Sequence, residues 1–398
     1  MILLRRRTML RGAALAGLAG VATATWRGRA MAAADETIKL GAPFNLTGNM
    51  ASLDQPALNG AKLAAQEINA TGGVLGRKIE LVVYDTKSDP TVAASVGSQL
   101  LNQDKVLAAF GFTDSDYALA IGTLFQKAAV PFLTPGATSP KLPEQIGDEM
   151  FLVCFGDNVQ AAAGAEFTLN TLKAKNVYLL RDSSTEYTTL LAKYFEEALV
   201  HGGGKVVKRD DYKSGDRSFS AQITKLKALS PKPQALFVSA GPDDIGLVVK
   251  QLRQAGVTLP IVGGDGYDTP LLLSVGGKGA HDVYYSTHAY MAEDSTPDIK
   301  KFYAAYKAAF NTPPENAFAA LGYDTVELIV DAIKRAGVAE PAKLRDALAT
   351  TQGYHGITGA ISYRPGVRVP DKTVTIIGAG NNRLHLAAQV TPSWVAQP

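Results

Sequence analysis

Short apolar runs alternate with longer amphipathic stretches along most of the chain. Residues 56–70 illustrate the second kind, because Leu58, Ala61, Ala65 and Ile68 fall on one face of a helix and the glycines of TGGVLGR then end it. The same periodicity predicts helices at 56–70, 90–102, 115–128, 158–172, 187–201, 218–229, 243–255, 297–310 and 316–336. Apolar runs rich in Val, Ile, Leu and Phe predict strands at 38–44, 78–85, 105–110, 130–134, 149–155, 176–181, 205–208, 234–239, 259–262 and 282–287.

The alternation runs through two units of similar size, which predicts an α/β protein with two doubly wound, Rossmann-like lobes. The strands are short and apolar, as in parallel sheets that helices cover on both faces. Two lobes joined by more than one segment would leave a cleft between them. Ligands of open α/β sheets bind beyond the carboxyl ends of strands, so the loops at those ends form the candidate site.

The first 34 residues have the form of an export signal. Arginines at 5–11 precede an apolar run at 12–24 that is too short to span a bilayer, and Ala-Met-Ala at 30–32 is a small-x-small cleavage site. Arg6 and Arg7 resemble a twin-arginine signal, with an ordinary secretory signal as the alternative. We therefore expect residues 1–34 to be removed and the mature protein to be periplasmic.

Charge and cysteine content narrow the range of partners. The chain has 40 Lys and Arg against 37 Asp and Glu, but the signal carries six arginines and no acid, so the mature chain has 34 basic against 37 acidic residues. No basic patch interleaved with aromatic residues indicates nucleic acid. Cys154 is the single cysteine, so it cannot form an intrachain disulfide, and we expect it to be buried in the apolar run FLVCF.

Motifs of enzymatic chemistry do not occur in the sequence. It has no phosphate-binding loop with Lys-Ser/Thr, no G-x-S-x-G and no H-E-x-x-H, and its five histidines are scattered, most of them expected on the surface or in loops. We expect no cofactor, no metal and no enzymatic activity. An amidase using Asp114 or Asp265 is the enzymatic alternative.

Polar residues follow the predicted strand 105–110 in the stretch FGFTDSDYA. Asp114 and Asp116 could form a metal site, an acid/base pair or the capped first turn of helix 115–128. A Ca²⁺-type acidic loop and a nearby nucleophile are both missing, which disfavours the first two. Ser115, at the helix start, could hold an anion through its hydroxyl and its N–H.

A second polar loop follows the predicted strand 130–134, in VPFLTPGATSPKL. Gly136 and Ala137 allow a ligand to approach the backbone closely, and Thr138 offers a hydroxyl and an N–H. Thr138 and Ser115 together could hold a carboxylate without any cation. Two ordinary polar loops are the alternative interpretation.

Four segments together resemble the periplasmic substrate-binding proteins of ABC importers, in the branched-chain (Leu/Ile/Val) amino-acid class. They are GAPFNLTG, GAKLAAQEINATGGVLGRKIELVVYD, VPFLTPGATSP and GGDGYDTP, and the likeness extends from about Ile38 to the C-terminus. The resemblance implies a periplasmic-binding-protein type I fold, with two lobes joined by a three-segment hinge that closes on the ligand. The first lobe would comprise 35–155 plus 287–368, and the second 156–286 plus 369–398.

The resemblance also implies roles for individual residues. Ser115, Ala137 and Thr138 match positions that bind the ligand carboxylate. The Gly136 carbonyl and the Asp265 side chain match positions that hold the ammonium group. The complete predicted ligand-binding set is Thr113, Asp114, Ser115, Gly136, Ala137, Thr138, Tyr187, Asp265 and Phe318.

The pocket pattern of the family is only partly present. Tyr187 and Phe318 match pocket positions, but Gly241 and Leu53 stand where the class has aromatic residues, which would enlarge the pocket. Asp114 stands where amino-acid binders have a neutral residue, and its charge would repel a ligand carboxylate unless it points away or caps the helix. An aromatic acid, a 2-oxo acid or an amide is therefore the alternative to an amino acid.

The sequence thus predicts an exported, non-enzymatic receptor. We expect it to capture a small amino acid or related carboxylate by hinge closure and to deliver it to the membrane permease of an ABC importer. A ligand-sensing subunit on the same fold is the alternative, because fold alone does not fix function.

Overall fold

In the computed structural model, which describes residues 37–398, the chain forms two separate sheets flanked by helices. The predicted export signal at 1–34 lies outside the described residues. Within 37–398, no helix has the length and apolar character needed to cross a bilayer.

Five strands form the first sheet and seven form the second. The first has the order β2-β1-β3-β4-β5 and is wholly parallel, and the second has the order β14-β13-β10-β9-β8-β6-β7, with β13 and β14 antiparallel at one edge. The strands are β1 (Ile38–Phe44), β2 (Ile79–Asp85), β3 (Ala108–Phe110), β4 (Phe132–Thr134), β5 (Met150–Leu152), β6 (Asn176–Asp182), β7 (Lys205–Tyr212), β8 (Ala235–Ser239), β9 (Ile261–Gly263), β10 (Val283–Thr287), β11 (Tyr354–Gly356), β12 (Gly359–Ile361), β13 (Val374–Gly380) and β14 (Arg383–Val390). β11 and β12 form a separate antiparallel hairpin.

Helices connect the parallel strands, as expected for crossover connections. They are α1 (Ala51–Ala70), α2 (Pro90–Gln99), α3 (Ser115–Ala128), α4 (Leu142–Ile146), α5 (Asp157–Asn170), α6 (Glu186–His201), α7 (Ser220–Ala228), α8 (Pro242–Gln254), α9 (Leu271–Gly276), α10 (Pro297–Phe310), α11 (Phe318–Ala336) and α12 (Pro341–Ala349). A π-helical turn at Leu100–Asp104 extends α2, and short 3-10 turns lie at Asp265–Tyr267 and Gly277–Gly279.

Every strand and helix predicted from the apolar periodicity is present, and Cys154 is buried as expected. No helix or strand is predicted after residue 336, whereas the structure has α12 and the hairpins β11–β12 and β13–β14 there. Asn381 and Asn382 join β13 to β14 with φ angles of 52° and 58°. Two consecutive positive φ angles are typical of a tight hairpin turn, and an Asn pair is the signal that could have predicted it.

The chain passes between the two sheets three times. It leaves the first sheet after β5, returns after β10, and crosses again between β12 and β13. This agrees with the three connecting segments implied by the resemblance. The residue boundaries assigned above to the two lobes remain predictions.

α1 begins five residues earlier than predicted, so Pro56 lies inside the helix. A proline in this position cannot donate a hydrogen bond to the carbonyl of Ser52, four residues before it. The side-chain amide of Asn316 donates to that carbonyl instead, at 3.0 Å. Contact with a distant part of the chain therefore satisfies the carbonyl that the proline leaves free, and local sequence could not show this.

α1 packs directly against α11 through glycines. A Cβ atom added at Gly60 would lie 1.7 Å from the carbonyl oxygen of Ala319, and one added at Gly322 would lie 1.9 Å from that of Ala57. Both distances are far below contact distance, so the two backbones approach as closely as they do only because these positions carry no side chain.

We expect Gly60→Ala and Gly322→Ala each to lower the free energy of unfolding by about 1–3 kcal/mol, because the added methyl group forces the two helices apart. Gly164→Ala, inside α5, is the matched control. Its Cβ would lie 3.8 Å from the nearest atom, in ordinary contact, so the better helix propensity of alanine should leave stability unchanged or raise it by about 0.5–1 kcal/mol. Urea denaturation measures all three, and a stable Gly322→Ala would contradict the packing argument.

Candidate functional site

Loops at the carboxyl ends of parallel strands from both sheets face one another across a single cleft. The first sheet contributes the loop after β3, the second contributes the loops after β6 to β9, and the starts of α1 and α11 complete the wall. The cleft encloses about 470 Å³ of space between atoms, part of it open to solvent. Its lining residues are Asn49, Met50, Leu53, Thr113, Asp114, Asp182, Thr185, Tyr187, Ser214, Gly241, Pro242, Asp243, Asp244, Asp265, Gly266 and Phe318.

The structure places the nine predicted site residues in two layers of the same region. Five of them line the cleft: Thr113, Asp114, Tyr187, Asp265 and Phe318. The other four are buried: Ser115, Gly136, Ala137 and Thr138. Gly136 lies directly behind the lining, because a Cβ atom there would come within 2.6 Å of the Phe318 ring and 3.2 Å of Thr113.

Asp114 is the N-cap of α3. Its backbone is extended, and its Oδ1 accepts a hydrogen bond from the Asp116 N–H at 2.9 Å. Ser115 Oγ accepts from the Ser139 N–H at 3.1 Å, which leaves its hydroxyl hydrogen available. No hydrogen bond among residues 37–398 uses the backbone N–H of Ser115 or Thr138. The corner formed by Ser115 and Thr138 therefore keeps hydrogen-bond donors free for an anionic group.

Thr134 gives the loop after β4 its shape. Its Oγ1 donates to the Phe112 carbonyl and accepts from the Ala137 N–H, both at 2.8 Å. These two bonds hold the TPGAT loop against the loop after β3, so that Ala137 and Thr138 lie beside the start of α3. Ala137 offers no free N–H for a ligand, which leaves that role to its neighbours.

A hydrogen-bonded chain of buried groups connects the two lobes beneath the cleft. Thr138 Oγ1 donates to Asp157 Oδ1 at 2.7 Å, and Gln160 Nε2 donates to Asp157 Oδ1 at 2.9 Å and to Asp265 Oδ1 at 3.0 Å. The Asp265 N–H returns a bond to Gln160 Oε1 at 3.1 Å. Gln160 thereby joins the loop after β4 to the loop after β9.

His288 completes this chain. It is buried, its Nε2 lies 3.0 Å from Asp265 Oδ2, and its ring stacks on Phe155 at 4.0 Å between centroids. Burial lowers the pKa of His288, against the opposing effect of Asp265, so the neutral ring donates its Nε2 hydrogen to the carboxylate. His288 is not among the predicted site residues, although it immediately follows the predicted strand 282–287. Asp157 and Gln160 were missed as well, at the start of the predicted helix 158–172.

A second buried carboxylate positions the loop after β3. Asp54, in α1, accepts hydrogen bonds from the Asn45 N–H at 2.7 Å, the Thr113 N–H at 2.8 Å and the Thr113 hydroxyl at 2.5 Å. Burial raises the pKa of Asp54 to about 6, and these bonds oppose the rise. These bonds from Thr113 to the buried Asp54 fix the orientation of Thr113 in the cleft wall.

The two lobes touch across the mouth of the cleft. Asp116 Oδ1 accepts from the Glu186 N–H at 3.3 Å, and the Ser139 hydroxyl donates to Glu186 Oε1 at 3.0 Å. On another side, the Thr269 hydroxyl donates to Ser52 Oγ at 3.1 Å. These contacts join loops of the first sheet to loops of the second, so the lobes lie in a closed arrangement.

The charged side chains that line the cleft are all acidic. Five aspartates line it, and no Lys, Arg or His is among its described lining residues. Burial is the main cause that raises the pKa of Asp114 to about 8, and the charge of Asp116 adds to it. The pKa of Asp157 is likewise raised by burial and by the neighbouring Asp265. No three His, Cys, Asp or Glu side chains within residues 37–398 converge as metal ligands. The chemistry that the cleft offers is recognition by hydrogen bonds at one end and by carboxylates elsewhere.

Comparisons with known proteins agree with this fold. The chain matches the family model described as periplasmic binding protein over residues 37–380. It is 32% identical over 341 residues to the Leu/Ile/Val-binding protein homolog 3 of Brucella melitensis, covering 85% of this chain and 88% of that protein.

Two solved structures illustrate the range of similar proteins. One is the branched-chain amino acid transporter substrate binding protein LivJ from Streptococcus pneumoniae in complex with isoleucine, with a TM-score of 0.84, 33% identity, and coverage of 90% of this chain and 100% of that chain. The other is an ABC transporter solute binding protein from Rhodopseudomonas palustris BisB5 in complex with 3,4-dihydroxy benzoic acid, with a TM-score of 0.79, 25% identity, and coverage of 91% and 99%.

The raised pKa of Asp114 predicts a pH-dependent stability. In the unfolded chain the Asp114 carboxyl has its ordinary pKa of 3.8 and loses its proton near pH 4. In the folded protein it keeps that proton up to about pH 8. The free energy of unfolding should therefore fall as pH rises through this window. Asp114→Asn keeps the capping oxygen and removes the charge, so it should stabilise the ligand-free protein by about 1–3 kcal/mol at pH 8 and by much less at pH 5.

Urea denaturation at both pH values measures this difference. Asp371→Asn is the control, because the Asp371 side chain is 74% exposed and its replacement should change stability equally at both pH values. A stabilisation by Asp114→Asn that is the same at pH 5 and pH 8 would contradict the assignment.

Proposed function

Since this chain belongs to the periplasmic binding protein family, we propose that it is the exported receptor of an ABC importer and captures an amino acid or related carboxylate between its two lobes. The resemblance inferred from the four sequence segments is confirmed, as is the type I fold with two α/β lobes. LivJ from Streptococcus pneumoniae, which contains isoleucine, supports an amino acid as the ligand class. The closed lobes would present a continuous surface to the membrane permease.

The arrangement of acids lining the cleft and of free donors buried beside it carries this proposal. Free N–H groups of Ser115 and Thr138, with the Ser115 hydroxyl, provide one pole for a carboxylate. Asp265, in the opposite lobe, provides a buried acid for an ammonium group and is linked to Thr138 through Gln160. An α-amino acid carries both of these charges, and hydrogen bonds from both lobes to one ligand would favour closure.

No group in this arrangement needs to react with the ligand. The relatives are solute-binding receptors, which supports a non-enzymatic role for this chain. Asp265 and Asp157 are held by Gln160 and Thr138, so they serve as fixed acceptors rather than as a nucleophile and its base. Unchanged ligand recovered after long incubation, identified by mass spectrometry, is the expected result.

An aromatic carboxylate is the second candidate ligand. Gly241 lines the cleft where the branched-chain class has an aromatic residue, and a Cβ atom there would meet nothing within 4 Å. The relative from Rhodopseudomonas palustris BisB5 contains 3,4-dihydroxy benzoic acid, which supports this alternative. A benzoate has no ammonium group, so Asp265 would then need another partner, and substitution of Asp265 separates the two candidates.

We expect Asp265→Asn to weaken binding of an amino acid at least 100-fold, because it removes the charge that the ammonium group faces. Binding of the same ligand without its amino group should be unaffected. Titration calorimetry measures both, after a thermal-shift screen in which a true ligand at about 100 times its Kd adds about 2.7 kcal/mol. Asp371→Asn serves as the exposed control, and unchanged amino-acid affinity in Asp265→Asn would refute the ammonium role.

We also propose export by the twin-arginine route, on the basis of Arg6 and Arg7 in the first 34 residues. Replacing both by lysine should leave the precursor in the cytoplasm, since this pathway reads the arginine pair rather than the charge. Replacing Arg27 and Arg29 by lysine is the matched control and should leave export intact. Cell fractionation decides the point, and normal export of the Arg6, Arg7 double variant would favour an ordinary secretory signal.

A further inference from the structure

Two buried side chains hold the Asp265 carboxylate from behind the cleft. Gln160 Nε2 donates to its Oδ1 at 3.0 Å, and His288 Nε2 lies 3.0 Å from its Oδ2. Gln160 and His288 are buried away from the cleft, whereas Asp265 is among the residues that line it. A carboxylate oxygen can accept two hydrogen bonds, so each oxygen of Asp265 keeps a lone pair for a group in the cleft. The orientation of Asp265 therefore depends in part on a histidine, the side chain whose ordinary pKa lies nearest to neutral pH.

Packing against two phenylalanine rings fixes the His288 side chain. His288 follows β10, where the chain crosses back to the first sheet. Its ring stacks on Phe155, in the crossing after β5, with 4.0 Å between centroids, and meets the Phe318 ring edge-on at 5.5 Å. The ring therefore cannot turn away from Asp265 without disturbing the packing of both phenylalanines.

Two charged groups among the described residues act on the His288 ring. Burial lowers the pKa of His288 from its ordinary value of 6.5, the bond and charge of Asp265 oppose this, and Lys372 adds to it. Lys372 is buried and has a partner of its own, because its Nζ donates at 2.7 Å to the Thr358 hydroxyl, which donates to Asp324 at 2.6 Å. Asp265 is thus the acid that the ring meets directly.

Two further acids lie beside this pair. Asp157 shares the Gln160 amide with Asp265, and burial, followed by the charge of Asp265, raises the pKa of Asp157 well above its usual range. Asp268 accepts from the hydroxyl of Thr287, the residue before His288, at 2.6 Å, and burial raises its pKa to about 6. Both acids contribute to any pH dependence of the site, so a test of His288 has to separate its contribution from theirs.

We propose that His288 positions Asp265 for the ammonium group of the ligand and makes binding sensitive to pH, because a proton on the ring competes with that ammonium group. This inference rests on the proposed function and adds a regulation of the same site. When the ring is neutral, the charge of Asp265 balances one bound ammonium group. When the ring is protonated, Asp265 already has a cationic partner, and the ligand would bring a second, unbalanced cation into a buried site.

The sign of the effect follows from this charge balance. Affinity is highest at a pH where the ring is neutral, and it falls as acid protonates the ring, by at most about 10-fold per pH unit for one proton. By the same linkage, a bound ammonium group lowers the pKa of His288 further, so binding at low pH releases a proton.

Nitrogen-15 NMR of the histidine rings tests the state of His288 without any ligand. The His288→Gln variant identifies its signal among the five histidines. We expect a neutral ring with its hydrogen on Nε2 at pH 7.5, which takes up a proton only below pH 6.5. A ring that is charged at pH 7.5, carries its hydrogen on Nδ1, or stays neutral until acid unfolds the protein would overturn the inference.

Titration calorimetry of the mature protein with L-isoleucine tests the competition. One pH unit below the midpoint found for the ring, we expect L-isoleucine to bind about 3- to 10-fold more weakly than at pH 7.5. His288→Gln should reduce this pH effect to what Asp157 and Asp268 contribute. His385→Gln is the matched control, because His385 lies exposed in β14, and it should change neither affinity nor its pH dependence.

A second ligand separates positioning from general damage to the fold. The ligand is 3-methylpentanoate, which is isoleucine without its amino group, measured at pH 7.5. His288→Leu removes the donor to Asp265, so it should weaken L-isoleucine about 10-fold or more and 3-methylpentanoate much less. His288→Gln keeps a donor and should recover most of that loss.

The outcomes distinguish this inference from the proposed function. Full pH dependence in His288→Gln, or equal weakening of both ligands by His288→Leu, would refute the role of His288, while L-isoleucine binding by the unsubstituted protein would still support an amino-acid receptor. Binding of no amino acid at all would refute both. If a variant does not fold, the unsubstituted protein still decides, because its loss of affinity must begin at the pH where the ring takes up its proton.

Discussion

Buried carboxylates that lack basic partners constrain the whole cleft. Asp54, Asp157 and Asp265 are each almost completely buried, and none pairs with Lys or Arg among the described residues. Ionised carboxylates in such positions require hydrogen bonds to compensate for lost solvation. The structure supplies them from backbone N–H groups, hydroxyls, one glutamine amide and one neutral histidine, so these polar groups are committed to holding an acid in place.

This constraint explains why the loops of the cleft have fixed shapes. Asp54 holds Thr113 from behind through two bonds, and Thr134 holds Ala137 against Phe112. Gln160 bonds to both Asp157 and Asp265, and Thr138 in the loop after β4 donates to Asp157, so this chain of bonds couples the first lobe to the second. A ligand therefore meets a site that is ordered before it arrives, which reduces the entropy lost on binding.

Rigid lobes and few connections make closure possible around this site. α1 and α11 pack backbone to backbone at Gly60 and Gly322, so their loops at the cleft move as one unit. The lobes are linked by three chain crossings and by polar contacts such as those of Glu186 with Ser139 and Asp116. Polar contacts between the lobes can be replaced by contacts with water at little net cost, whereas the packing of α1 on α11 cannot. We therefore expect hinge motion to occur at the three crossings.

The sequence by itself determined the alternation of strands and helices, the two lobes and the resemblance on which the site prediction rests, because hydrophobic periodicity and short motifs are local properties. The predicted Ser115 and Thr138 lie close together because they follow β3 and β4, whose carboxyl ends one parallel sheet brings to the same edge, whereas Asp265 follows β9 of the second sheet. Only the tertiary structure decided the partners of these residues. Gln160 and His288 acquire their roles through contacts between segments more than 20 residues apart, and no local pattern encodes such contacts.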